Sequence, residues 1–296
     1  INANMGEMDN KGVDANLEYQ TRIGNKVGLR LFGNLTYSKN KIVFRDEPAM
    51  QYAYQKSEGT RYGEFYGYIA EGYFQSEEEI KKSPRQMREL APGDIKYKDL
   101  NDDGVIDAND QCYLGKSWFP SWSYGMGFNI NYHNFDLALF FQGVSDVSIM
   151  ANGGSIDTGN GDWGASGVGI VPFTGMGLNP SNVITKALDR WTADNPRADA
   201  WYPRMTANAT TNDNNYVNST HWLKDGSYLR LKQASLGYTL ENKKLMDKGI
   251  EYLYFYLSGQ NLLTFSKFKL WDPELGSNGA KYPLSRMVTL GMRVSF

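Results

Sequence analysis

The sequence predicts an all-β chain that forms a stretch of wall in a large antiparallel transmembrane β-barrel. Three observations carry this. Seven segments alternate apolar and polar residues with period two, as strands with two unlike faces do. The connections between them alternate between short and very long, as in a barrel with tight turns on one rim and long loops on the other. Alternating segments end in Tyr or Phe, at Tyr19, Tyr37, Tyr132 and Phe296, which suits aromatic girdles at a membrane interface.

The first segment, GVDANLEYQ, sets Val13, Ala15, Leu17 and Tyr19 against Asp14, Asn16 and Glu18. The second, VGLRLFGNLTY, sets Val27, Leu29, Leu31, Leu35 and Tyr37 against Arg30, Asn34 and Thr36. SYGMGFNINY places Tyr124, Met126, Phe128, Ile130 and Tyr132 opposite glycines and asparagines. FDLALFFQG places Phe135, Leu137, Leu139 and Phe141 opposite Asp136 and Gln142. In the fifth segment Leu229 and Leu231 are out of phase with Ala234, Leu236, Tyr238 and Leu240, which predicts a β-bulge near Lys232. EYLYFYLSG sets Leu253, Phe255 and Leu257 against Tyr252, Tyr254 and Tyr256. MVTLGMRVSF sets Val288, Leu290, Met292, Val294 and Phe296 against Thr289, Gly291, Arg293 and Ser295. Glu18, Arg30, Asp136 and Arg293 are expected to face a lumen or a plug.

Short connections are expected at 21–26, at His133 and Asn134, and at 241–249; long ones at about 39–120, 145–226 and 263–285. Loops of that length are uncommon in a compact domain unless they carry function. A soluble, calcium-stabilised β-sandwich that binds carbohydrate would share the period, and the loop asymmetry favours the barrel. Seven is an odd number of strands, and an open sheet leaves edges that lipid does not tolerate. The chain is therefore expected to be the C-terminal part of a larger barrel. Its opening, INANMGEMDNKG, has no charged or apolar leader segment, which fits the same expectation.

Composition narrows the function classes. Lys and Arg total 31 against 33 Asp and Glu, so there is no basic stripe for nucleic acid. The single cysteine, Cys112, rules out an intrachain disulfide. No apolar run reaches 18 residues, so no transmembrane helix is expected. His133 and His221 are the only histidines. No nucleophile elbow, P-loop, HExxH or paired-cysteine motif occurs, so no enzyme is expected.

One stretch, DLNDDGVIDANDQ, packs carboxylates tightly enough to need a partner. With Asp99 at position 1 of a twelve-residue loop, Asn101 falls at 3, Asp103 at 5, Gly104 at 6, Val105 at 7, Asp107 at 9 and Asp110 at 12. This is the spacing of an EF-hand-type calcium loop, with Asp in place of the usual Glu at the end. Asp99, Asn101, Asp103, the Val105 carbonyl, Asp107 and Asp110 are thus the expected ligands of a structural Ca2+. Its expected affinity is in the extracellular range, about 10⁻⁴–10⁻³ M or somewhat tighter. The flanking DIKYKD reads as strand, so this is no helix–loop–helix pair. A solvated Asx-rich turn is the alternative.

Long stretches then carry a resemblance. PGDIKYKDLNDDGVIDANDQCYLGKSWFPSWSYGMGFNINYHNFDLALFFQG resembles a signature region of the SusC/RagA-type TonB-dependent outer-membrane transporters of Bacteroidetes. GSYLRLKQASLGYTL, YFYLSGQNLLTFSKFKLWDPE, ALDRWTADNP and the final strand ending on Phe296 are similar to family segments too. The resemblance implies a 22-stranded barrel with an N-terminal plug domain, of which this chain would be the C-terminal part without the plug. It implies nutrient import, of a glycan or an oligopeptide, energised through TonB, with a SusD-like surface lipoprotein as lid. Outer-membrane lipid and lipopolysaccharide would surround it. Phe296, aromatic and in phase with Val288 to Val294, would be the signal read by the barrel-assembly machinery.

Trp118, Trp122, Trp163, Trp191, Trp201, Trp222 and Trp271 fall in the expected loops. They are expected to pack the loops onto one another, with contact to a lid as the alternative. VITKALDRW is expected to form a short amphipathic helix with Val183, Ala187 and Trp191 on one stripe. No residue is singled out for substrate contact.

Overall fold

The computed structural model describes residues 6–24, 26–152, 184–205, 214–279 and 281–296. Trp163 and Val183 lie outside them. Strands form where the alternation placed them. In chain order they are β1 (Gly6–Ile23), β2 (Val27–Arg45), β3 (Glu64–Gly67), β4 (Ala70–Tyr73), β5 (Ile95–Tyr97), β6 (Cys112–Ser117) and β7 (Trp122–Tyr132). There follow β8 (Phe135–Ser145), β9 (Ser148–Met150), β10 (Leu223–Asp225), β11 (Tyr228–Leu240), β12 (Tyr252–Ser266) and β13 (Met287–Ser295). One sheet joins β1, β2, β7, β8, β11, β12 and β13 in that order. Every neighbouring pair is antiparallel.

The registers align the apolar positions in rows across all seven strands. One row runs Tyr19, Leu31, Phe128, Leu139, Ala234, Gly259, Val288; the next runs Thr21, Leu29, Ile130, Leu137, Leu236, Leu257, Leu290. Among the described residues no protein layer covers this face: Leu236 is 48% exposed and Leu257 47%. A soluble domain does not leave an apolar face of this extent uncovered, whereas a wall bathed in lipid must.

Aromatic residues mark both borders of the band. At the short-turn rim one row holds Val27, Tyr132, Phe135, Tyr238 and Phe255. At the other, Tyr37 packs on Trp122 with ring centroids 4.5 Å apart. Val27 to Tyr37 is ten steps along β2, roughly 34 Å at a strand's rise. With the usual barrel tilt this gives about 26 Å, close to the apolar height of an outer-membrane barrel.

The predicted bulge is present. Against β8, β11 passes from Leu231 to Gln233 while β8 advances one residue, from Phe141 to Phe140, which leaves Lys232 as the extra residue; against β12 the register also slips here, but there the extra residue lies on β12, between Gln260 and Leu263. Strand ends are corrected in three places. β2 continues to Arg45 and β12 to Ser266, so the long connections begin seven and four residues later than the alternation implied. β1 runs on to Ile23, so Tyr19 stands two rows inside the rim instead of ending a strand. Trp122 opens β7 and belongs to the wall, not to a loop.

The connections after β2 and β8 fold together into one globule at the long-loop rim. Its core combines Phe65, Tyr68, Tyr73, Ile95, Tyr97 and Ile106 from the first with Met150, Ala187, Trp191, Ala200, Tyr202 and Trp222 from the second. Three two-stranded sheets (β3 with β6, β4 with β5, β9 with β10) and α1 (Glu77–Lys82) frame it. The helix expected over VITKALDRW is a single 3-10 turn, Thr185–Leu188, which buries Ala187, and Trp191 beyond it is buried too.

Candidate functional site

Three features carry chemistry: the polar face of the wall, the seam of the loop globule and the acidic loop. On the polar face Glu18 and Arg30 form a two-pronged ion pair, with Nε and Nη2 each donating at 2.9 Å. The Arg30 guanidinium lies 4.9 Å above the Phe32 ring. Near the short-turn rim Asn129, Asn131, Asp136, Tyr252, Tyr254 and Arg293 line a groove of about 600 Å3. The residues expected to face inward thus share the face opposite the apolar rows.

The globule seam is polar at its centre. Asp94 is fully buried. It accepts from Arg204 Nη2 at 2.8 Å, Asn215 Nδ2 at 2.7 Å and the Ala91 amide at 2.9 Å, and Arg204 Nε lies 2.7 Å away. Asn214 and Asn215 hold β5: Asn215 Oδ1 accepts the Ile95 amide at 2.9 Å and Asn214 Nδ2 donates to the Ile95 carbonyl at 3.0 Å. Gln86 bridges the Tyr97 amide, at 2.7 Å, and Asn214 Oδ1, at 2.8 Å. Nothing in the sequence pointed to this network, in which Arg204, Asn214 and Asn215 lie more than a hundred residues from their partners.

An open pocket of about 760 Å3 lies beside the seam, lined among others by Trp201, Phe268, Lys186, Lys224, Lys267 and Lys269. Lys224 Nζ donates to the His221 carbonyl at 2.6 Å and sits over the Trp201 ring. Burial, and then the nearby Lys186 charge, pulls the Lys224 ammonium below its ordinary range. Burial also pushes His221 down to about 4, with Lys224 adding to it, so the imidazole is neutral at physiological pH. Trp191, Trp201 and Trp222 pack the loops as expected, while Trp118 stays 37% exposed.

In the acidic loop the chain's own amides meet the carboxylates. Asp99 Oδ2 accepts the Gly104 amide at 2.8 Å, Asn101 Oδ1 that of Asp103 at 3.1 Å, Asp103 Oδ1 that of Val105 at 2.8 Å, and Asp107 Oδ1 that of Asn109 at 2.7 Å. Asp110 is fully buried and accepts the Leu100 amide at 2.7 Å and the Asp107 amide at 2.9 Å. Asp102 (φ 58°) and Gly104 (φ 80°) take the left-handed conformations that let the loop curl. Tyr54 donates to the Asn109 carbonyl at 2.8 Å. Burial, reinforced by the Asp110 charge, pushes its hydroxyl up to about 12. Within the loop Asp99 Oδ1 is buried without a hydrogen-bond partner. Among the described residues, no three or more His, Cys, Asp or Glu side chains are placed to hold a metal ion.

Phe296 follows β13 and is 91% exposed, on the same face as Val288, Leu290, Met292 and Val294.

Comparison with known proteins adds to this geometry. No family model matches the chain. It is 26% identical to TonB-dependent receptor P3 of Formosa agariphila across 99% of its own length and 29% of the relative's. It is 30% identical to TonB-dependent receptor P26 of the same organism across 76% of its own length and 22% of the relative's. The chain therefore spans less than a third of these relatives. Among solved structures it superposes on the RagAB peptide transporter with a TM-score of 0.68, at 20% identity, over 99% of this chain and 30% of that one. On the RagAB peptide importer in its open-open state the TM-score is 0.69, at 23% identity, over 98% and 29%.

Proposed function

We propose that this chain, similar to TonB-dependent receptors and superposable on RagAB transporters, is a wall segment of a SusC/RagA-like outer-membrane β-barrel of Bacteroidetes type and serves nutrient import across that membrane. The observation that carries the reading is the two-faced sheet: seven aligned strands with an uncovered apolar side, a polar side, and one rim built up into a loop globule. In this reading the polar face, with Glu18, Arg30, Asp136 and Arg293, packs on a plug domain and lines the path. The remaining strands close the barrel, TonB supplies energy through the plug, and a SusD-like lipoprotein caps the globule. An oligopeptide or a glycan is the cargo. The pocket with Trp201, Phe268 and its lysines offers stacking surface and cationic donors suited to either. Phe296 serves as the assembly signal.

A structural Ca2+ in the acidic loop is part of the proposal. Asp99, Asn101, Asp103, Asp107 and the Val105 carbonyl would supply oxygens, with Asp110 closing the set. The partnerless buried Asp99 Oδ1 supports it. Isothermal titration of the full-length protein should give a calcium heat that Asp99→Ala removes. No heat, together with no calcium-dependent protection from proteolysis, would remove the ion.

The import reading is tested by affinity purification of the full-length protein from detergent-solubilised outer membranes, with mass spectrometry of what accompanies it. A stoichiometric surface lipoprotein is expected. A protein that stays soluble and alone would return the soluble, calcium-stabilised sandwich to the lead.

A further inference from the structure

β2 does not stop at the membrane border. Beyond the Tyr37–Trp122 pair it runs eight more residues, still paired with β1. At the start of this extension the outward face turns charged, with Lys39, Lys41, Lys11 and Asp9, before exposed Phe44 follows opposite Glu7. Alternation puts Lys39 and Lys41 on the side of Leu35 and Tyr37, and Lys11 on the side of Val13. All three are exposed, while their inward neighbour Ile42 is buried beneath the loops.

Lys11 is registered directly across from Lys39. Like charges opposite one another on a sheet face repel, and the arrangement is destabilising unless something anionic lies between them. Asp9 is registered across from Lys41, yet among the described residues no carboxylate oxygen comes within 4.0 Å of any of the three ammonium groups.

Their height is informative. Lys39 is two residues and Lys41 four beyond Tyr37. With strand rise and barrel tilt they stand about 5 and 10 Å above the apolar border. The headgroup layer is roughly 5–7 Å thick on each side of a bilayer, and lysine stems reach along apolar surface to place their charge there. Lys11 and Lys39 thus sit where the acidic groups of an outer-leaflet lipid lie, on a face continuous with the lipid-facing band, while Lys41 stands just above that layer with a stem long enough to reach back down to it.

We propose that Lys11, Lys39 and Lys41 form a binding site for a phosphorylated lipid headgroup, namely that of the lipid A which anchors lipopolysaccharide. The phosphate would sit between Lys11 and Lys39, with Lys41 above it, and the acyl chains would lie along Leu35, Leu31 and their row partners. The proposal rests on the reading of this sheet as a membrane wall.

The test uses the full-length transporter, wild type and Lys11→Gln/Lys39→Gln/Lys41→Gln, in phosphatidylcholine nanodiscs doped with bisphosphorylated lipid A or with its dephosphorylated form. Native mass spectrometry counts the lipid retained after delipidation. Wild type should retain the phosphorylated form about tenfold better than the variant, with no difference for the dephosphorylated form. Lys39→Arg should retain it as wild type does. Equal retention of the phosphorylated form by wild type and triple variant would overturn the proposal. So would equally tight binding of inorganic phosphate by wild type in lipid-free micelles, which would mark a free-anion site. Failure of the wall reading looks different: the wild-type protein would then not fractionate with outer membranes at all.

Discussion

The Tyr254 hydroxyl donates to Asp136 Oδ2 at 3.0 Å although β11 runs between their two strands. The bond passes over Gly237, where a Cβ would meet both the Tyr254 hydroxyl and the Asp136 carboxylate. The same device recurs on the polar face, where the Phe32 ring covers Gly127 and the Tyr256 ring covers Gly291. Aromatic side chains thus fill the space left by strand glycines, which accounts for the glycines spaced between apolar positions in the sequence. Gly237→Val should break the bridge and cost about 1–3 kcal/mol through overpacking. The urea midpoint of the folded barrel, read by heat-modifiable gel migration, measures it.

The buried Asp94–Arg204 pair ties the two large loops together. Removing the carboxylate strands Arg204, Asn215 and the Ala91 amide without their acceptor. Asp94→Ala should destabilise the globule by about 3–5 kcal/mol while leaving the wall inserted. Limited proteolysis of intact cells should then cut the surface loops with no loss of barrel from the membrane.

The depressed His221 gives the globule a pH dependence. Because its folded value, about 4, lies below its ordinary 6.5, the unfolded loops bind the extra proton first. The contribution to stability is complete above pH 6.5 and is lost as pH falls toward 4. At pH 5 the loss is about 2 kcal/mol. Loop proteolysis in proteoliposomes should accelerate between pH 7 and 5, and His221→Gln should flatten that profile.

Deleting Phe296 should lower the amount of protein assembled in the outer membrane. Fractionation and immunoblotting measure it, and an unchanged level would mean the terminal aromatic is an ordinary strand residue.

The wall was legible because a lipid-facing strand writes its two faces into a period of two, and even the Lys232 bulge appeared as a phase change. Strand ends were less legible. Over residues 38–41, beyond Tyr37, both faces of β2 turn polar, and Ile42, Val43 and Phe44 then follow without alternation, so the pattern ceases to distinguish strand from loop. In the acidic loop the spacing was plain, but spacing does not reveal that Asp110 also accepts the Leu100 and Asp107 amides. The Asp94 network was invisible, since nothing local to Asp94 names Arg204 or Asn215 as its partner.

The central claim is that alternate residues of one strand face lipid and lumen. It is tested most directly along β12, with single cysteines at Leu253, Tyr254, Phe255, Tyr256 and Leu257 in a Cys112→Ala background, spin-labelled in the full-length protein in bilayers. Leu253, Phe255 and Leu257 should be accessible to oxygen dissolved in lipid, and Tyr254 and Tyr256 to a water-soluble nickel complex. Odd positions shielded from both reagents, as in a sandwich core, or all five positions open to the nickel complex, would contradict the membrane wall.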